Sequence, residues 1–430
     1  MVLIHTQDDP FLLLPLGTMK RRVVITGLGV IAANGIGKEA FWKATVEGRS
    51  GISNISAFDT SQFTTRFAGE IKDFDPLKFI DSKNVKRMDR TSQLAVAAAK
   101  MAVKDAGIDM GSVEEGRRAG VIIGTSMAGH GYILNQHVTL REKGPMRISP
   151  YTPLASFPDA CASQISIELG IRGPSFSIST ACSSASDAAS YACEAIRSGV
   201  VDFMVMGGAE ASIYPGILAA FCVARAMSQR NDDPQRASRP FDKDRDGFVL
   251  GEGSGIFILE EYEHAKKRGA HIYAEVLGSG MTCDAFHMTS PDPSGIEASR
   301  AMHLALETAG VTVDDIDYIN AHGTSTPMND KTETHIIKQV FGKRAYQIPV
   351  SSIKSMIGHL IGAAGSVELV ATLLAMEYQI IPPTINYDTP DPECDLDYVP
   401  NKARPSKIKI AMKNSFGFGG KNSILIVGKI

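Results

Sequence analysis

Cys182 stands where two patterns meet. From Ser175 to Thr180 polar and apolar residues alternate, with Phe176 and Ile178 on one side, as in a half-buried strand. Ala185, Ala188, Ala189, Ala192, Cys193 and Ile196 then recur at helical spacing until Gly199. A thiol at a helix N-terminus meets unpaired backbone N–H groups and the positive end of the helix dipole. Both favour thiolate and predict a pKa below the free value of about 8.5. The residue equally fits a buried cysteine serving as a small hydrophobe.

Two histidines and a lysine stand out by their surroundings. His322 lies in Asn320-Ala321-His322-Gly323-Thr324-Ser325-Thr326-Pro327, after the strand-like Asp317-Tyr318-Ile319. Lys354 and His359 lie in Ser351-Ser352-Ile353-Lys354-Ser355-Met356-Ile357-Gly358-His359, which runs into Gly362-Ala363-Ala364-Gly365. Each segment is a short apolar run, then polar residues, then small ones that permit close approach, as in functional loops at strand ends.

These segments, with Thr180-Ala181-Cys182 and the C-terminal Asn414-Ser415-Phe416-Gly417-Phe418-Gly419-Gly420, resemble the signatures of type II β-ketoacyl-[acyl-carrier-protein] synthases, the condensing enzymes of dissociated fatty acid synthesis. The resemblance runs from about Lys20 to the end of the chain. It implies a decarboxylative Claisen condensation of a Cys-bound acyl group with malonyl-[acyl-carrier protein], giving 3-oxoacyl-[acyl-carrier protein] and CO2, with no cofactor and no metal. Cys182 would be the nucleophile. His322 and His359 would donate N–H bonds to the enolate oxygen, and Lys354, supported by Glu368, would be a fixed charge beside His322.

The same resemblance puts an oxyanion hole at the backbone N–H groups of Cys182 and Phe418, with Phe418 also the gate between acyl and malonyl sites. Thr324 and Thr326 would bind the phosphopantetheine arm, and Met127 would bound the acyl pocket. Lys83, Lys86, Arg87 and Arg225 are candidates for docking acidic acyl- and malonyl-loaded carrier protein, although runs of charge are often only solvated faces. A homodimer is implied. Three departures stand against the family pattern: Ser183-Ser184, as in polyketide ketosynthase domains; Pro158 to Ser163; and Lys421. The first two leave a specialised polyketide or polyene ketosynthase as an alternative. A non-condensing partner subunit is a weaker one, since such chains typically lack the nucleophile.

The implied fold is α/β and thiolase-like: two duplicated βαβαβαββ halves in five α-β-α-β-α layers. The halves are placed at 19–268, with the nucleophile, and 269–430, with both histidines and the lysine, after an extension over 1–18. Val23 to Val30 and Ile272 to Val276 are the expected opening strands. A helix from Ser92 to Ala106 should bury Leu94, Ala98, Met101 and Ala102.

Two partial motifs are set aside. Asp242, Asp244, Asp246 and Gly247 imitate half of an EF-hand, but position twelve is Gly253; a charged turn, solvated or bridged to Arg239 and Arg245, is expected. Gly27-Leu28-Gly29 is followed by Ala32 where a dinucleotide fingerprint needs its third glycine. With 430 residues and a formal net charge of -3, no bulk attraction to nucleic acid or membrane is expected. Six cysteines without CxxC spacing argue for a reducing, cytoplasmic setting, and no apolar run is expected to approach the roughly 18 residues that span a bilayer.

Overall fold

Ten consecutive residues, Val23–Ala32, form strand β1 and are all buried, as expected of a strand covered on both faces. Its glycines admit the next helix at close range: a Cβ at Gly29 would fall 1.9 Å from the carbonyl oxygen of Ala98. That helix, α1 (Arg90–Ala106), presents Leu94, Ala95, Ala98, Ala99 and Ala102 to the core. Asp89 caps its start by accepting the N–H groups of Thr91 and Ser92, and left-handed Gly107 ends it. The computed structural model describes residues 21–430, so the expected extension over 1–18 lies outside the described residues.

The first half continues through β2 (Ala119–Gly124), α2 (Ala160–Leu169), β3 (Ser175–Ile178), α3 (Ser184–Arg197), β4 (Phe203–Glu210) and β5 (Gly253–Glu261). The second runs β6 (Ala274–Cys283), α4 (Ile296–Ala309), β7 (Tyr318–Asn320), α5 (Pro327–Phe341), β8 (Val350–Ser351), α6 (Ala364–Tyr378), β9 (Ile410–Gly417) and β10 (Lys421–Gly428). Strand order is β3-β2-β4-β5-β1 in one and β8-β7-β9-β10-β6 in the other. In both, the pairs among the second, third and fourth strands are parallel and those involving the fifth antiparallel. The duplication is therefore plain in topology although faint in sequence. The halves also join edge to edge, β1 pairing antiparallel with β6 at Val24–Glu275 and Ile25–Ala274.

Five layers result. Helices α3 and α6 share one apolar core with residues of both half-sheets. α1 and α2 cover the outer face of the first half-sheet, and α4 and α5 that of the second. The central position explains an unexpected feature. Contrary to the sequence expectation, Ile361–Tyr378 does reach 18 residues at mean hydropathy 1.3, but 89% of it is buried inside the protein. A helix packed all round needs apolar residues on every side. Strand β3 also differs from expectation, since Phe176 is 42% exposed. Among the described residues β3 pairs only with β2 and forms the outer edge of the sheet.

Candidate active site

The strand β3 and the helix α3 are joined by a sharp elbow. Ala181 takes φ 54°, a left-handed conformation that costs a non-glycine residue about 1 kcal/mol or more. Serine hydroxyls hold it there. Ser184 Oγ accepts the Thr180 N–H at 2.9 Å and donates to Ala181 O at 2.6 Å. Ser183 Oγ donates to Thr180 O at 2.8 Å, and Ser126 Oγ reaches Ala181 O at 2.9 Å. Ser183 and Ser184 are buried in the turn, so their departure from the family pattern concerns backbone geometry. Cys182 follows the strained residue and lies just before α3, with its thiol buried.

Burial changes one expectation. The sequence reading put the Cys182 pKa below its free value, but removal from water pushes the thiol up to about 11, against the opposing pull of the Lys354 charge and the Phe418 backbone N–H. Desolvation outweighs the helix terminus and the charge because a buried sulfur has little water to share the anion. The resting residue is a thiol.

His322, Lys354 and His359 converge on it from the second half. His359 Nε2 is 3.0 Å from Cys182 Sγ, and the donor atoms of Cys182, His322 and His359 lie within 4.8 Å of one another. The two imidazole ring centres are 5.2 Å apart and their planes meet at 84°. The Ile361 N–H donates to Nδ1 of His359 at 3.3 Å, and the Lys354 ammonium faces Nδ1 of His322 at 3.4 Å. With a donor at each Nδ1, the proton of each neutral ring belongs on Nε2. Burial first, and then the Lys354 charge, hold both histidines well below their usual pKa. The site thus presents two neutral N–H donors beside a sulfur. Two imidazoles and a thiol at such spacing invite comparison with a metal centre, but metal-bound histidines donate their outer N–H to an acceptor. Here that position faces an N–H and an ammonium, so the donor set does not fit a cation.

Lys354 is 1% exposed. It donates to the His322 carbonyl oxygen and to Glu368 Oε1, which accounts for the expected support role of Glu368 by contact. Phe418 sits between β9 and β10, 42% exposed, and its backbone N–H is one of the groups that pull the Cys182 pKa down. Gly417 permits close approach: a Cβ there would stand 3.2 Å from the Cys182 nitrogen and 3.0 Å from Thr180 O. Thr324 and Thr326 hydrogen-bond each other at 2.9 Å, and Thr326 caps α5 through the Asn329 N–H. Both belong to the same loop as His322.

The carboxylates that aim these loops escaped the sequence reading. Glu333, on the buried face of α5, accepts the N–H groups of His322 at 2.8 Å and Gly323 at 2.7 Å and the Asn414 amide at 3.0 Å. Glu210, at the end of β4, accepts from Ser126 at 2.8 Å, Met127 at 3.1 Å and Gly362 at 3.1 Å. It ties the loop of Met127, the expected pocket residue, to the loop after His359, and burial raises its pKa to about 7. The available signal was a lone charge among residues of core periodicity.

The docking candidates are not among these buried residues. Lys83 and Lys86 are exposed on and just after the short helix Ser82–Val85, while Arg87 stacks over Tyr151 at 5.0 Å. Arg225 is exposed at φ 54°, just beyond the helix Pro215–Val223, whose Leu218 shares an apolar cluster with Cys182. The charged turn is bridged as expected: Asp242 accepts from Arg239 at 2.9 Å and from three backbone N–H groups, and Arg245 bonds Asp391 at 2.5 Å. Pro158 to Ser163 leads into α2, Asp159 accepting from Ser163 Oγ at 2.7 Å.

Comparison with known proteins bears on this geometry. Residues 20–265 match the family model "Beta-ketoacyl synthase, N-terminal domain" and residues 273–388 the corresponding C-terminal domain. The chain is 49% identical over 410 residues to 3-oxoacyl-[acyl-carrier-protein] synthase 2 of Synechocystis sp., covering 95% of this chain and 98% of that one. It is 47% identical to the protein of that name from Vibrio harveyi, covering 96% and 99%. Among solved structures it is similar to a β-ketoacyl synthase from Burkholderia phymatum, with TM-score 0.89, 36% identity, and 95% and 100% of the two chains covered. It is also similar to a type II polyketide ketosynthase in complex with its acyl-carrier protein, with TM-score 0.88, 38% identity, and 96% and 100% covered.

Proposed function

The chain belongs to the β-ketoacyl synthase family, and from that premise we propose that its buried Cys182, His322, His359 and Lys354 carry out the condensing reaction of fatty acid elongation. The enzyme is a 3-oxoacyl-[acyl-carrier-protein] synthase, an acyltransferase acting on carrier thioesters. The observation that carries the residue assignment is the meeting of one sulfur and two neutral N–H donors, from distant parts of the chain, in a single buried site.

In the first step the Cys182 sulfur attacks the acyl carrier thioester. The carbonyl oxygen, negative in the tetrahedral intermediate, lies against the N–H groups of Cys182 and Phe418. The new C–S bond forms, the old one breaks, and the proton lost by Cys182 ends on the released carrier thiol. Malonyl carrier protein then enters, Thr324 and Thr326 contacting its phosphopantetheine arm. Its C–C bond to the carboxylate breaks, CO2 leaves, and the electron pair passes to the thioester carbonyl as an enolate. Nε2–H of His322 and His359 stabilise that oxygen, an effect worth about 3 kcal/mol per donor in comparable holes. Neutral donors suit the task, since an already charged imidazolium would bind the malonate carboxylate and resist its loss. The enolate carbon attacks acyl-Cys182, the C–S bond breaks, and one proton from solvent restores the buried thiol.

The wider reading is of one piece with this. Acyl carrier protein is the partner, with Lys83, Lys86, Arg87 and Arg225 meeting its acidic surface and Met127 bounding the acyl pocket. The halves are divided at about 268/269. Two copies associate, a view supported by the edge of β3, unpaired among the described residues, and by exposed Leu154, Phe157, Ile167 and Phe176 nearby in the chain. A cytoplasmic setting is supported by six free cysteines. The direct test is incubation of the purified protein with acyl- and malonyl-carrier protein, reading products by mass. A product two carbons longer and bearing a 3-oxo group is expected; unextended acyl carrier protein after many turnovers' time would overturn the reading.

A further inference from the structure

One buried cation has no part in the reaction just described. Lys413, on β9, is fully buried. Its ammonium stands 3.0 Å from Glu368 Oε2 and 3.2 Å from Ser186 Oγ, and it also bonds Ser415 Oγ. Ser186 lies in the first turn of α3, just beyond Cys182, and its hydroxyl is 2.9 Å from that of Ser415. Glu368 is thus flanked by two ammonium groups, Lys354 on Oε1 and Lys413 on Oε2. Taking an ammonium out of water costs several kcal/mol, and an apolar side chain would fill a strand position at no such cost.

We propose that Lys413 is a positioning residue of the condensation site: its ammonium clamps Glu368 from the side opposite Lys354 and ties that carboxylate to the helix of the nucleophile. With Oε2 occupied by Lys413, Oε1 remains for Lys354, whose other contacts go to His322. Lys413 also adds positive charge behind both imidazoles and disfavours their protonation. The charged groups around His322 are Lys354 at Nδ1, Glu333 at its backbone N–H, and Lys413 and Glu368 behind Lys354. Around His359 are Cys182 at Nε2, the same two lysines, and Glu210 through Gly362. The inference rests on the condensing reading for its consequence to activity, but not for the charge effect itself.

Two measurements on the full-length protein separate these. The imidazole 15N shifts of His322 and His359 are titrated in the wild type, Lys413→Met and Lys413→Arg, and CO2 release from malonyl carrier protein is followed across pH in parallel. Lys413→Met should move the imidazole titration, and the acid limb of CO2 release with it, up by about one pH unit, the size expected of one unit charge nearby in a protein interior. It should lower kcat several-fold with little change in KM, and Lys413→Arg should keep the limb near that of the wild type. An unmoved titration in Lys413→Met, with only the melting temperature lowered, would show a purely structural lysine. If Lys413→Met does not fold, Lys413→Ser, which leaves room for water, is judged on the same titration. A wild type that releases no CO2 counts against the condensing reading, while the nitrogen shifts still decide the role of Lys413.

Discussion

The two halves share strand order and crossover pattern, yet their equivalent connections carry different side chains. The link from third strand to third helix gives Cys182, the proposed nucleophile, in the first half, and Lys354 and His359 in the second. The link from second strand to second helix gives Met127 and its loop in the first half and His322 in the second. The first elbow is turned tightly and held by serine hydroxyls, so that a sulfur is pinned at a helix start. The second set of loops is longer and is aimed by buried charges: Glu333 under His322, and Glu368 with its two lysines. The two halves thus offer equivalent rims, and under the proposed mechanism one carries the acyl-bearing sulfur and the other the groups that handle malonate.

The sharpest way to break that division is to disable one side and ask whether the other still works. Cys182→Ser should reduce acyl transfer by about a thousandfold or more, because a hydroxyl is a far poorer nucleophile at this pH. Cys182→Gln, whose amide mimics the acylated thiol, should keep or raise CO2 release from malonyl carrier protein, and a loss of both activities would merge the two roles. The reverse test is His322→Ala or His359→Ala, with an expected fall in CO2 release of about a hundredfold while acyl loading of Cys182, followed by intact mass, survives in His322→Ala. Full decarboxylation in either variant would remove the histidines from their role.

Titration sharpens the same contrast. With its pKa pushed up to about 11, Cys182 in the free protein should react with iodoacetamide about tenfold faster for each pH unit, because the thiolate fraction rises with pH until it saturates. Bending near 11 is the expected outcome, and a plateau already at pH 8 would restore the low pKa predicted from the helix start. The histidines titrate in the opposite sense: they lose their neutral form only as pH falls well below the usual 6.5. The smallest effect belongs to the surface. Charge reversal at Lys86 and Arg87 should raise KM for carrier-bound substrate a few-fold at low salt and leave kcat alone; an unchanged KM would clear that patch of docking.

What the sequence made legible follows from local physics. Cys182 announced itself because an alternating run gives way to a helical one at that residue, and both loops of the second half were marked by small residues after a strand. The thiol pKa was misjudged because periodicity shows where a helix starts and says nothing of how much chain will bury it. Glu333 and Lys413 were missed for a related reason: each occupies a position whose neighbours alternate into the core, among Thr332, Thr334, Ile336 and Ile337 or beside Ala411 and Ser415. A charge there reads as an exposed face until its partners arrive from distant chain. The long apolar character of α6 was likewise underestimated, since only the layered arrangement requires it.

The placement of α3 and α6 between both half-sheets has a consequence for biosynthesis. When the first half leaves the ribosome, one side of α3 has nothing to lie against until α6 has been made, and α6 ends at Tyr378, about 110 residues beyond residue 268. A fragment ending near residue 268 should therefore be sticky and depend on chaperones, whereas co-expression with the remaining piece should recover soluble, active protein.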